Sequence, residues 1–127
     1  MRLLVTRPEP GNTQTAAALR TKGHEVLLAP LLRIEPMSDA DLGAPPWTAV
    51  LLSSANAARA MAAHPRIGEL TALPALVVGE RSAQAARSAG FTAVQSADGE
   101  VRDLIRIAAA HFAGSRAPLR TIGCRPA

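Results

Sequence analysis

Short apolar runs of four to six residues recur along this chain, each followed by a Gly, Pro or Ser turn and then by an Ala-rich segment of helical period. No other feature limits the fold as strongly. Runs this short and continuously apolar belong to strands covered on both faces, and the helical segments between them supply the cover. The expected class is therefore α/β, with mostly parallel sheets flanked by helices.

Residues 2–6 read as the first strand, ended by Pro8 and the loop Pro8-Glu9-Pro10-Gly11. Asn12 or Thr13 is placed to cap a helix carrying Ala16, Ala17 and Leu19, and Gly23 to close it. Residues 24–29 form a second strand and complete one β-α-β unit over residues 1–36, with 31–35 a possible extension. Residues 37–46, rich in Pro, Asp and Gly and without apolar period, read as a linker. The pattern restarts at Trp47, with strands at 48–52, 75–78 and 92–95 and helices at 55–63, 82–89 and from Val101 on. The last helix presents Val101, Leu104, Ile105, Ala108 and Phe112 on one face, and Gly114 closes it. Residues 47–127 therefore resemble a doubly wound, flavodoxin-like domain, and residues 119–123 offer one further strand.

Ligands of open α/β sheets bind beyond the carboxyl ends of the strands, where turns feed helix N-termini. The candidate turns are Thr6-Arg7-Pro8, Ser53-Ser54-Ala55-Asn56, Gly79-Glu80-Arg81-Ser82 and Asp98-Gly99-Glu100. Backbone N–H groups and small hydroxyl or amide side chains at such places suit carboxylates or phosphates. Each has a plainer reading: Ser54, Ser82 and Asp98 as helix caps, Arg7 as a solvated cation, Gly79 as a turn residue.

Composition excludes several classes. Net charge of +4 and a pI near 11.0 come from scattered arginines, without a basic run, and two Phe, one Trp and no Tyr leave few rings to stack nucleic-acid bases. No apolar run spans a membrane, and Arg7 and Pro8 break the start before a signal-peptide core could form; one Cys, Cys124, cannot form an internal disulfide, so the expected compartment is cytoplasmic. His24, His64 and His111 lack metal-ligand spacing, and no dinucleotide, P-loop or hydrolase motif occurs. The residues by themselves describe an α/β module with anion-friendly helix starts.

At those same turns the chain resembles the uroporphyrinogen-III synthase family. The resemblance rests on Val5-Thr6-Arg7-Pro8, on residues 51–60 (LLSSANAARA), on Val78-Gly79-Glu80-Arg81-Ser82-Ala83 with Ala89-Gly90-Phe91 behind it, and on Ser96-Ala97-Asp98-Gly99. It implies a cofactor-free enzyme of tetrapyrrole and haem biosynthesis, a hydro-lyase that closes hydroxymethylbilane while inverting its last pyrrole ring. It further implies two α/β domains, with residues 1–36 as the start of a split first domain and 47–127 as an incomplete second one. Thr6, Arg7, Ser53, Ser54, Asn56, Gly79, Ser82, Asp98 and Gly99 become the substrate-binding set, facing a polycarboxylate small molecule, with no metal and no assigned catalytic residue.

Near residue 117 the resemblance stops, as it would in a truncated or shifted reading frame, and it implies that the family's tyrosine would belong to a half this sequence, which has no Tyr, is expected to lack. The expectation is a monomeric fragment without nucleic-acid or membrane partners, marginal in stability and inactive by itself. The alternative is a non-catalytic flavodoxin-like module that binds an anion or a protein partner.

Overall fold

In the computed structural model, which describes residues 1–114 and the strand Thr121–Ile122, the first apolar run forms β1 (Arg2–Val5). It pairs in parallel with β2 (Glu25–Leu28), Arg2 opposite Glu25 and Val5 opposite Leu28, and α1 (Gly11–Arg20) connects the two. Strand alternation decides what is covered. Val5 and Val26 bury against Ala16 of α1, with Leu19 and Leu28 packed beside them. Leu4 and Leu27 point to the other face and remain 60% and 62% exposed, next to the exposed Arg2–Glu25 ion pair.

The start of α1 differs from the sequence expectation. Neither Asn12 nor Thr13 caps it; the helix begins at Gly11 behind Pro10. The carbonyls of Pro8 and Pro10 accept the N–H groups of Asn12 and Gln14, so the loop backbone does what a capping side chain would do. Gly23, at φ +82°, closes the turn after α1 as expected, and no strand continues past Leu28.

These elements make up one unit, Met1–Glu35; a second comprises Pro36–Ala127. In the second, β3 (Ala49–Leu52), β4 (Ala75–Val78), β5 (Val94–Ala97) and β6 (Thr121–Ile122) are all parallel, in the order β5-β4-β3-β6. Val50, Leu52, Ala75 and Val77 bury on one face beneath α2 (Ala55–Ala62), α3 (Ile67–Thr71) and α4 (Glu80–Ser88), which contribute Ala58, Met61, Leu70, Ala83 and Ala86. Leu76 and Ala97 bury on the other face beneath Leu104 and Ala108 of α5 (Val101–His111). Helices on both faces make the unit doubly wound. Counted within the unit, however, the strand order is 3-2-1-4 rather than the flavodoxin order, because the connection through α5 carries the chain across the sheet to the far side of β3.

Five local differences from the sequence expectation follow. The short helix α3 was not expected; it buries Leu70 completely between α2 and β4 in sequence. Strand β5 lies two residues later than its β-branched start suggests, so Ser96 and Ala97 are strand residues, fixed by pairing with Val77 and Val78. Helix α4 begins at Glu80, which makes Gly79 the cap and puts Ser82 inside the first turn. Asp98 likewise is no cap: Glu100 holds that position for α5. On α5 itself Leu104, Ile107, Ala108 and Phe112 form the contact stripe, while Val101 and Ile105 are 54% and 62% exposed. The stripe meets Leu51, Leu76, Val78 and Ala97 of the sheet, and Val101 and Ile105 of the expected face fall outside it.

Residues 36–46 contain no helix or strand, yet their later part is fastened to the second unit. Leu42 and Trp47 pack on its larger core. The buried His64 ring bonds the Ala40 carbonyl through Nε2 at 3.0 Å and accepts the Arg66 N–H at Nδ1 at 3.1 Å, which sets the tautomer. Arg66 donates to the Gly43 carbonyl at 3.1 Å, and its guanidinium lies 4.4 Å from the Trp47 ring centroid. The described β6 falls within the expected strand at 119–123; Leu119, Cys124 and most of the divergent stretch from 117 lie outside the described residues. Among the described residues no helix is long and apolar enough to cross a membrane.

Candidate functional site

Three of the four candidate turns share one edge of the second unit. Leu52 pairs with Val77 and Val78 with Ala97, so β3, β4 and β5 end side by side and deliver Ser53, Gly79 and Asp98 along the carboxyl edge of the sheet. Strand order reverses at β3, the position where doubly wound sheets open a crevice. The turn after β3 therefore has the most favoured place by topology.

At that turn Ser54 caps α2: its backbone is extended and its Oγ accepts the Asn56 N–H at 3.1 Å. Ser53 and Ser54 are both exposed. The Asn56 side chain turns outward along the helix and its Oδ1 accepts from Arg59 Nη1 at 3.0 Å. Arg59, one helical turn on, is thus tied to Asn56; reading by turn position missed it, and the i, i+3 spacing from Asn56 is the signal that identifies it.

The turn after β4 is built differently. Gly79 has φ +78°, which an L side chain rarely adopts, and a Cβ there would face open space. Its N–H is taken by the Ala97 carbonyl, and its own carbonyl accepts from Ser82 and Ala83. The N–H groups of Glu80 and Arg81 have no acceptor among the described residues, and no side chain caps the helix. The Glu80 carboxylate is drawn along the helix by Arg87, at 3.0 Å, away from that end. Ser82 is buried to 5% exposure, and its N–H is taken by the Gly79 carbonyl at 3.1 Å.

At the turn after β5 the chain supplies its own anion. Asp103 Oδ2 accepts the Glu100 N–H at 3.2 Å. Gly99, at φ +125°, makes room for it, since a Cβ there would stand 2.8 Å from that oxygen. Asp98 is exposed beside it. Of the turns on this edge, the start of α5 has a carboxylate of its own in place, whereas the start of α2 has none and at α4 the Glu80 and Arg81 N–H groups are uncommitted among the described residues.

The fourth turn belongs to the first unit. Thr6 and Arg7 are exposed after β1, and the Arg7 guanidinium lies back over α1, where Nη1 donates to Thr15 Oγ1 at 3.0 Å. Nearby, Thr13 Oγ1 donates to the Glu9 carboxylate at 2.9 Å. Asn12 is fully buried; its Oδ1 accepts the Thr13 N–H at 2.6 Å, and its Nδ2 has no acceptor among the described residues. The described residues include no group of three or more His, Cys, Asp or Glu able to hold a metal ion.

Comparison with known proteins agrees with this arrangement of parallel sheets. No curated protein matches the chain. A family model does, that of uroporphyrinogen-III synthase HemD, over residues 13–120. The match takes in the turns after β3, β4 and β5 and covers most of the 127 residues, and the chain belongs to the uroporphyrinogen-III synthase HemD family.

Proposed function

We propose that this chain binds hydroxymethylbilane, a linear tetrapyrrole bearing acetate and propionate carboxylates, and serves its closure to uroporphyrinogen III. In that reaction the hydroxyl of the terminal hydroxymethyl group leaves as water, giving an azafulvene. The last ring attacks through its substituted carbon, and the spiro intermediate rearranges with that ring inverted. The observation that carries the reading is the start of α4, where the Glu80 and Arg81 N–H groups have no acceptor among the described residues and Gly79 opens the approach. Backbone donors at a helix N-terminus favour carboxylates without requiring a strong base.

In this reading Gly79 and Ser82 form the carboxylate cradle, with Ser53, Ser54 and Asn56 beside it on the neighbouring strand end. Asp98 and Gly99 border the same edge, and the Asp98 carboxylate suits pyrrole N–H groups better than substrate carboxylates. Thr6 and Arg7, exposed at the end of β1, have carboxylate-binding chemistry of their own within the first unit. Turnover by the 127-residue chain alone is proposed to stay at background, because its first unit has a two-stranded sheet with Leu4 and Leu27 uncovered on one face.

The test has two arms. Hydroxymethylbilane is added and the type III isomer is separated from type I, which forms spontaneously; type III above the no-protein control overturns the proposed inactivity. In parallel, amide resonances are followed during titration with uroporphyrinogen I, a stable octacarboxylate when kept anaerobic. Shifts at Glu80, Arg81 and Ser82 are expected, and an unmoved α4 start excludes the proposed cradle.

A further inference from the structure

Arg7 is a cation kept in one place without a counter-ion. Five ion pairs occur among the described residues, and they engage Arg2, Arg33, Arg66, Arg87 and Arg106, not Arg7. Glu9, the acid nearest in sequence, is occupied by the Thr13 hydroxyl at 2.9 Å. What fixes Arg7 instead is a pair of residues four apart, and therefore on one face, of α1. Thr15 Oγ1 accepts from Nη1 at 3.0 Å. Gly11 lets the guanidinium settle on the helix backbone: a Cβ there would lie 2.8 Å from Nε and 2.9 Å from both Cζ and Nη2.

We propose that Gly11 and Thr15 are positioning residues that hold the Arg7 guanidinium as a preformed receptor for a substrate carboxylate. The proposal rests on the reading of Arg7 as a carboxylate partner. The Nε–Nη2 edge makes no hydrogen bond among the described residues, and it is the edge a carboxylate takes in bidentate fashion. A long flexible cation loses much conformational freedom on binding, and a guanidinium already seated between a glycine and a hydroxyl has lost it beforehand. Gly11 is therefore kept for the space above it, since its backbone is ordinary helix and has no positive φ.

Three variants separate positioning from folding. Gly11→Ala suits the helix better than glycine, and the atoms nearest its Cβ are the far end of the flexible Arg7 side chain, so its melting temperature should equal or exceed that of the wild type. Thr15→Val removes the acceptor at nearly constant shape, and Thr15→Ser restores it. The readouts are the Arg7 Nε–H resonance and the dissociation constant for uroporphyrinogen I. Wild type and Thr15→Ser should show the Nε–H signal moving on titration, whereas Gly11→Ala and Thr15→Val should bind about tenfold more weakly with the fold retained. If Arg7 responds in the wild type but Gly11→Ala and Thr15→Val bind as tightly, positioning is overturned and the carboxylate reading stands. If the Arg7 signal stays still while the α4 amides move, Arg7 is no carboxylate partner, and the proposal falls with the reading beneath it.

Discussion

Oδ2 of Asp103 lies 2.8 Å from the point where a Cβ on Gly99 would stand, while it accepts the N–H of Glu100 at 3.2 Å. The glycine and the capping carboxylate therefore depend on one another. Gly99→Ala meets both a crowded oxygen and a φ of +125°, and should cost about 1–3 kcal/mol. Asp103→Ala alone should cost about 1 kcal/mol as a lost cap. Together they should destabilise by less than the sum, because removing the carboxylate removes the clash but not the strained φ; urea denaturation of the three variants measures the coupling.

The orientation of α5 is tested by two adjacent residues. Leu104 is buried to 4% exposure against Leu76 and Ala97, whereas Ile105 is 62% exposed. Leu104→Ala should lower stability by about 2–4 kcal/mol and Ile105→Ala by no more than about 0.5 kcal/mol. Equal losses in thermal denaturation would contradict the packing described for this helix.

Ser54 has two separable contributions. Ser54→Ala removes the acceptor of the Asn56 N–H and should cost about 1 kcal/mol. Ser54→Asp keeps an acceptor and favours the positive helix end, so stability should be retained, but a fixed negative charge on this edge should weaken uroporphyrinogen I binding. Titration calorimetry beside a melting curve distinguishes the two effects.

The Arg66–Glu69 pair gives a pH dependence of definite sign. The hydrogen bond from Arg66 holds the Glu69 carboxyl below its ordinary value of 4.5, and the same contact raises Arg66. A carboxyl lowered in the folded state contributes fully above its unfolded pKa and loses that contribution as pH falls through the folded value. The urea midpoint of the wild type should therefore exceed that of Glu69→Gln by a constant amount above about pH 5, and the gap should close below the ordinary carboxylate pKa. Trp47 fluorescence reports the same event, since the Arg66 guanidinium lies over its ring.

Strand positions and most turns were legible because they are written in short-range pattern. Residues 75–78 are a strand by apolar content alone, and Ser54 before an Ala-rich run is a cap by chemistry alone. What the pattern could not supply was decided by neighbours distant in sequence. Ser96 and Ala97 became strand because Val77 and Val78 lie opposite, and Ile105 lost its place in the core because α5 meets the sheet through Leu104, Ile107, Ala108 and Phe112 instead. The order of strands depends on which way each crossover returns, which composition does not encode. For the candidate residues, sequence located the turns but not their occupancy. That Asp103 fills one helix start while the start of α4 is left open depends on side-chain direction, as does the seat of Arg7 against Gly11 and Thr15.

The two fastenings at Ala40 and Gly43 determine where this polypeptide can be divided. Sequence composition suggests cutting just ahead of Trp47, yet a piece begun there lacks the carbonyls that receive His64 and Arg66, along with the Leu42 side chain. The buried imidazole would then be left without its acceptor, at a cost of about 1–3 kcal/mol. A dissection that respects these bonds breaks the chain between Glu35 and Pro36, where the two units meet in sequence. Any exchange of the second unit among related chains should carry residues 36–46 with it as cargo of that unit.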